Sequence, residues 1–595
     1  MITDNVHRLM LSAAVVLGMG TLVACTDSDY DLSEVDMTIG LGNGELLIPT
    51  SSTDTILLKD VLKLNDSETV VEQENGDYYF QKDGDAVSPA HPFINQVTVM
   101  QSSANSADLN ISLAGYLGQA AGRSAVQRLP INLKEEMIVQ QFAYQGDLPN
   151  EVEELQGADV SNDLTLHVTF SEPIKAYVPE IAELSLELPA YMTLDKIQTS
   201  GTHQLTGSKL TLKNVSTAAP LTVSLSVSHL AFNKESGDLG KLSVENGKVM
   251  LAAGIRMGVS ITNINTSVTG QDPTKCAIST SLDMGRDVTL TKVTGRFDPV
   301  IDLGNLGSAA VTGIPDFLTN EGVVIDLANP QIWLDIQSDL DVSGFVKGTL
   351  TATKNGSTTA SIEIPDMPVL SNAVTHICIC RDASAITDPS VHVVPVSELS
   401  TLLNPIPDRI SFAGSAKADV QQTSDFLLGK QYTVVPSYRI VAPIAFGEQA
   451  KIVYTESFDD FNDDIKDFDV TDGTYIEMTA DVESRIPAYL NVEAVAIDVN
   501  GNEMPQSEVA VKVEGEVKAS ADGQTVATSA IKVTLQPFKG ALKNLDGLKL
   551  TISGAAQSEE GNAAITGKTL NAKKHSLVAK NIQIKLVGKA IADLN

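Results

Sequence analysis

Apolar and polar side chains alternate with a period of two along much of this chain. Leu221, Val223, Leu225 and Val227 alternate with Thr222, Ser224, Ser226 and Ser228. Val509, Val511, Val513 and Val517 alternate with Lys512, Glu514, Glu516 and Lys518, and Ile531, Val533 and Leu535 with Lys532, Thr534 and Gln536. Near the end, Ile582, Ile584 and Leu586 repeat the pattern. Successive side chains on a strand point to opposite faces, so this period predicts antiparallel sheets with one buried and one wet face. Asn355-Gly356, Asn500-Gly501 and Asp522-Gly523 fall between such runs and predict two-residue hairpin turns. The predicted fold class is all-β: several antiparallel β-sandwich modules with a few short helices. One helix is expected where Phe458, Phe461, Ile465 and Phe468 recur at helical spacing behind a capping Ser457. A helical turn is expected over 396–404, stopped by Pro405.

A short motif repeats within this pattern. Leu188-Pro189-Ala190-Tyr191-Met192 recurs as Ile314-Pro315-Asp316-Phe317-Leu318 and as Ile486-Pro487-Ala488-Tyr489-Leu490, with a weaker copy at Ile406-Pro407-Asp408-Arg409-Ile410. Proline gives an extended entry to a strand, and the aromatic residue is placed to cover a sheet end, so the repeat predicts a duplicated β module. The spacing of the copies is too uneven for a solenoid. The expected division is a signal segment over 1–24, a lipidated tether over 25–45 and a small β unit over 46–90. Sandwich domains follow over 91–270 and 271–395, then a C-terminal β domain over 396–595. The serine-rich stretch at 102–109 and Gly270–Pro273 are the expected seams.

Length and charge narrow the function. A chain of 595 residues exceeds what one core can organise, and 43% hydrophobic residues suffice for several. Basic residues number 41 against 75 acidic, a net charge of −34. Such a field repels phosphate backbones, so nucleic acid is excluded as a partner. Aromatic residues are 5%, with Trp333 the single tryptophan.

The N-terminus changes the picture most. Residues 9–24 are apolar and rich in small side chains, yet shorter than the ~20 residues a membrane-spanning helix needs. They predict a signal peptide. The stretch ends Leu22-Val23-Ala24-Cys25, which resembles the bacterial lipobox; the resemblance implies a covalent lipid on Cys25 and outer-membrane anchoring, with no other cofactor required. Asp27, Asp29, Asp31, Glu34 and Asp36 follow at once. An acidic tract there is similar to the export signal of surface lipoproteins in the Bacteroidota, which implies display on the cell surface, with the periplasmic face of the membrane as the alternative. The runs DLSEVDMTIGLG, STDTILLKDVL and ENGDYYF resemble the starts of large Bacteroidota lipoproteins, a resemblance that brings no activity with it.

Candidate chemistry is sparse. No G-x-S-x-G elbow and no H-E-x-x-H occurs. His229 lies on the apolar parity of its strand and is expected to bond to backbone. Cys276, Cys378 and Cys380 leave at least one thiol unpaired; a bridge from Cys276 to either partner stays open, with buried free thiols preferred. His376 shares strand parity with Cys378 and Cys380, but no second ligand cluster accompanies them. Asp460, Asn462 and Asp464 alternate as in a calcium loop, yet Ile465 and Thr471 stand where the turn glycine and the bidentate carboxylate belong, so helix is preferred over calcium. Gly561–Thr569 has one residue too many for a phosphate loop. Trp333, sharing a strand face with Asp335, is the candidate contact surface. The expected function is non-enzymatic binding, adhesion or envelope structure, with envelope or surface proteins or glycans as partners. The alternatives are a carrier enclosing an apolar ligand and a protein that binds or hydrolyses glycans.

Overall fold

Among the described residues, six antiparallel-dominated sheets account for the strands, and they stack in pairs around separate cores. The computed structural model describes residues 39–49, 52–62, 69–120, 127–284, 287–314, 318 and 322–592. Leu22, Val23, Ala24, Cys25 and the acidic tract lie outside them, as do Pro315, Asp316 and Phe317 of the second motif copy. The all-β expectation is met: the helices among the described residues are short, and none is long and apolar enough to cross a membrane.

The first sandwich packs a sheet ordered Met192–Thr199, Leu221–Ala231, Val152–Phe170, Cys276–Asp283 and Leu109–Ile111 against one ordered His203–Thr206, Lys209–Ser216, Glu180–Glu187, Lys248–Asn265, Arg128–Asp147 and Val97–Ser106. Leu221, Val223, Leu225 and Val227 are all buried, as their alternation requires. The second sandwich packs Asn305–Ala310, Arg409–Ala418, Gly344–Lys354 and Ser357–Val369 against a six-stranded sheet. That sheet runs Val391–Pro395, Ala373–Cys380, Gln331–Ser338, Val434–Pro443, Tyr78–Asp83 and Val70–Glu72. Asn355 and Gly356, at φ 51° and 76°, make the two-residue turn between Gly344–Lys354 and Ser357–Val369. In the third sandwich, Ile39–Pro49, Ser576–Ala592, Tyr475–Ser484, Ala527–Pro537 and Val509–Glu514 face Lys451–Phe458, Leu545–Ala555 and Tyr489–Asp498.

Two of the motif copies occupy the same place in two sandwiches. Leu188–Met192 carries the chain from Glu180–Glu187 in one sheet to Met192–Thr199 in the other; Ile486–Leu490 does the same from Tyr475–Ser484 to Tyr489–Asp498. The neighbours correspond as well. Glu180–Glu187 lies between Lys209–Ser216 and Lys248–Asn265, as Tyr475–Ser484 lies between Ala527–Pro537 and Ser576–Ala592. Met192–Thr199 and Tyr489–Asp498 pair with Leu221–Ala231 and Leu545–Ala555, which pair onward with Val152–Phe170 and Lys451–Phe458. Lys248–Asn265 pairs with Arg128–Asp147, and its counterpart Ser576–Ala592 pairs with Ile39–Pro49. The third sandwich is therefore a split copy: its first strand comes from the far N-terminal side of both other sandwiches. The motif tyrosines hold the crossing, since Tyr191 Oη donates to the Ala252 carbonyl at 2.5 Å and Tyr489 Oη to that of Ala563 at 2.7 Å.

Several expectations are corrected by this pairing. The described residues of 46–90 form no separate unit, because Ile39–Pro49 belongs to the third sandwich and Tyr78–Asp83 to the second. The boundary at 270/271 falls inside the first sandwich, where Cys276–Asp283 pairs with Val152–Phe170. The boundary at 395/396 falls inside the second, which continues through Arg409–Ala418. Much of the serine-rich stretch at 102–109 is strand, pairing with Arg128–Asp147. Ser457 and Phe458 end a strand rather than open a helix, and only Asn462–Ile465 is helical; Phe458, Phe461, Ile465 and Phe468 instead join one buried core. Asp522-Gly523 sits in a longer connection rather than a two-residue hairpin.

The sandwiches are joined by buried contacts. Ser424–Leu427 pairs with Lys292–Phe297 of the first sandwich, and Phe426 packs between Phe297 and Tyr432 with ring centroids 5.1 and 4.8 Å away. A further cluster of Leu58, Tyr78, Phe446, Ile486 and Leu570 ties the second sandwich to the third. His575 lies beside it, 3% exposed, its Nδ1 accepting from the Asn571 amide at 3.0 Å.

Two predictions follow from this packing. Tyr191→Phe removes the bond to Ala252 and should cost about 1 kcal/mol, read as faster amide exchange in Lys248–Asn265 with exchange in the third sandwich unchanged. Burial lowers the His575 pKa from 6.5 to about 4, with Asp77 opposing and Lys574 adding to the shift. A depressed histidine stabilises the fold fully above its unfolded pKa and loses that contribution as pH falls through 6.5 toward 4. His575→Gln should therefore flatten the acid limb of the stability curve in that window, by up to ~3 kcal/mol in urea titrations.

Candidate functional site

The Gln331–Ser338 strand is central in its sheet, and its alternation divides two roles. Ile332, Leu334 and Ile336 enter the core of the second sandwich, while Gln331, Trp333, Asp335 and Gln337 face outward. Trp333 is half-buried and outside the sandwich core. Its Nε1 donates to Gln331 Oε1 at 3.0 Å, and the guanidinium of Arg439, directly opposite on Val434–Pro443, lies 5.7 Å from the ring centroid. On the other neighbouring strand, His376 faces Asp335, whose Oδ1 accepts from its Nδ1 at 2.6 Å. The structure thus places both expected contact residues on one outer face. It adds Arg439 and His376, which sequence reading missed as partners because cross-strand register is set by pairing far along the chain.

A second feature is an apolar cavity of about 70 Å³ between the second and third sandwiches, walled by Val70, Phe80, Leu327, Ile444, Phe446 and Ile452 among others. Asp326 lines it but is 7% exposed and committed elsewhere. Its Oδ1 accepts from Arg381 Nη1 at 2.5 Å and its Oδ2 from the Gln449 amide at 2.9 Å. Gly447 is needed beside it, since a Cβ there would stand 2.4 Å from Asp326 Oδ2. Pockets that enclose drug-sized ligands run to roughly 300–1,000 Å³, so this cavity is too small for a carrier of that kind.

The remaining candidates resolve individually. His229 bonds a carboxylate rather than backbone, with its Nδ1 2.7 Å from Asp159 Oδ1. Cys276, Cys378 and Cys380 are free and buried; burial pushes the thiols of Cys276 and Cys378 up to about 11 and 12. His376 bonds Asp335 and shares its strand face with the buried Cys378 and Cys380. Asn462 donates to the carbonyls of Lys543 and Leu545, Asp463 pairs with Lys466, and Asp460 adopts φ 68°. The side chain of Asp464 lies outside the description. Among the described residues, no group of three His, Cys, Asp or Glu side chains is arranged to hold a metal ion. Gly561–Thr569 is loop and bridge with no helix behind it to face a phosphate.

No protein-family profile matches the chain, and no curated protein matches it in sequence. Among solved structures, a Parabacteroides distasonis protein described as secreted aligns over 50% of this chain and 90% of its own, with 17% identity and a TM-score of 0.32. The structure of infectious bursal disease virus, Gx strain, aligns over 89% of this chain and 86% of its own, with 9% identity and a TM-score of 0.12. Similarity this low transfers no function.

Two substitutions separate the features of this region. Asp326→Ala strands the Arg381 guanidinium and should lower stability by roughly 3 kcal/mol in chemical denaturation. Arg439→Ala removes an exposed side chain and should change stability by under about 0.5 kcal/mol, while shifting the emission of Trp333, the protein's single indole.

Proposed function

We propose that this chain is a lipoprotein of the cell envelope, displayed on the outer-membrane surface through lipid on Cys25, and that its β body binds or scaffolds without catalysing a reaction. The observation that carries this reading is Leu22-Val23-Ala24-Cys25, directly behind an apolar stretch too short to span a bilayer. Each acyl chain contributes about 0.8 kcal/mol per buried CH₂, and more than one chain makes the attachment stable. The acidic residues that follow favour surface export and keep the tether solvated.

The fold indicates what such an anchor would hold. Ile39 follows Cys25 closely enough that even a fully extended chain reaches no more than about 50 Å. The strand that begins there is the edge of the third sandwich, so that sandwich is the unit held beside the bilayer. A body of net charge −34 resists collapse onto an anionic surface. A binding role is favoured by the outer face around Trp333, where Asp335 and the indole are each held by a neighbour.

Metabolic labelling with a radiolabelled fatty acid tests the anchor. The wild-type chain should carry label and partition with membranes, and Cys25→Ala should lose both. An unlabelled wild-type chain that still sediments with membranes overturns the reading. Protease added to intact cells should digest the body; digestion only after the outer membrane is opened would place it on the periplasmic face instead.

A further inference from the structure

We propose that the outer face of the six-stranded sheet, centred on Trp333 and Arg439, is a binding site for a neutral oligosaccharide; this rests on the binding role argued above and names its ligand class. Trp333 lies outside the core of the second sandwich, on the outer face, directly opposite the buried Cys378. The core beneath is filled by Ile332, Leu334, Ile336, Ile377, Ile379 and Ile440, and the single tryptophan of the chain stands on the opposite side. A large amphipathic ring kept at a surface is suited to contact with a ligand that has apolar and polar edges.

The groups around the ring fix the chemistry. Arg439, Asp335 and Gln331 are planar, and each can form paired hydrogen bonds with neighbouring hydroxyls on a sugar ring, while the indole face takes its C–H surface. They are held before any ligand arrives: the indole by Gln331 and Arg439, and Asp335 by His376. Holding side chains in place reduces the ordering cost of binding. Tyr79 shares this face, because Trp333 pairs with Arg439, Arg439 with Asp83, and Tyr79 keeps the parity of Asp83. From strand rise and spacing it lies roughly 16 Å from Trp333, so the site suits a chain of several sugar units.

Charge selects the class further. Arg439 is balanced on the face by Asp335 and Asp83, and the whole chain repels polyanions, so a neutral glycan fits where a sulfated or uronic one does not. A protein partner fits less well, since stable interfaces bury about 800 Å² per side around an apolar centre. Here a single indole, with the Cys378 thiol buried beside it, stands among Gln331, Asp335, His376 and Arg439 rather than in an extended apolar patch.

The test uses the mature full-length chain in detergent, with Trp333 emission as the readout. It is titrated with cello-, xylo-, manno- and malto-oligosaccharides of four to six units, and with dextran sulfate as the charged control. At least one neutral series should shift the emission saturably at micromolar to low-millimolar concentration. By calorimetry, Trp333→Ala, Arg439→Ala and Asp335→Asn should each weaken that binding at least tenfold, Arg439→Ala and Asp335→Asn with the melting temperature unchanged. Absence of any neutral response, binding of dextran sulfate alone, or binding untouched by all three variants overturns the proposal. Fatty-acid labelling of the same preparation reports on the anchor separately, so loss of the glycan site leaves the envelope reading standing.

Discussion

The antiparallel pairing of Ile39–Pro49 with Ser576–Ala592 is the constraint on which the arrangement of the whole chain depends. It closes a loop of more than five hundred residues, and the entropic cost of closure rises only with the logarithm of that length. The cost is offset because the N-terminal strand completes a sheet that would otherwise end at Ser576–Ala592. Once the two strands are paired, the first two sandwiches become an insertion within the third, and the polypeptide leaves and re-enters the same module.

That arrangement also explains the joints. An inserted body must be held at its exits, and the cluster of Leu58, Tyr78, Phe446, Ile486 and Leu570 sits where the N-terminal segment, the end of the second sandwich and the start of the third converge. The Asp326–Arg381 pair braces the same seam. The first and second sandwiches are joined differently, through Phe426 and Tyr432 reaching into a foreign core. Such contacts make the modules mechanically continuous, although the repeat shows that at least two share a common plan. The crossing tyrosines preserve that plan: a buried ring at the sheet end with its hydroxyl on a carbonyl works in both copies while the loops around it differ.

The outer face around Trp333 shows how a sheet builds a preset surface from separate strands. Gln331, Trp333 and Asp335 come from one strand, His376 from a second and Arg439 from a third. The pleat keeps them on one side, and hydrogen-bond register sets which of them touch. The buried face supplies the rigidity, and the outer face carries polar groups beside the buried thiols of Cys378 and Cys380.

Local physics was legible in the residues themselves. The period-two alternation of Leu221–Val227 and Ile582–Leu586 determined which side chains are buried, Asn355-Gly356 determined a hairpin because both positions need φ > 0, and the repeated Pro-Ala-Tyr pointed to duplicated modules. Trp333 and Asp335 were assignable to one face by parity alone. Tertiary structure decided everything that depends on pairing across long separations: the split third sandwich, the loss of a boundary near residue 270, and the Arg439 and His376 neighbours. It also decided the strand over Lys451–Phe458, where Phe458, Phe461, Ile465 and Phe468 carry helical spacing yet fill one core from a strand, a single turn of helix and a second strand. Alternation along a strand records which side is wet, whereas the identity of the neighbouring strand is a competition among distant segments that no local pattern encodes.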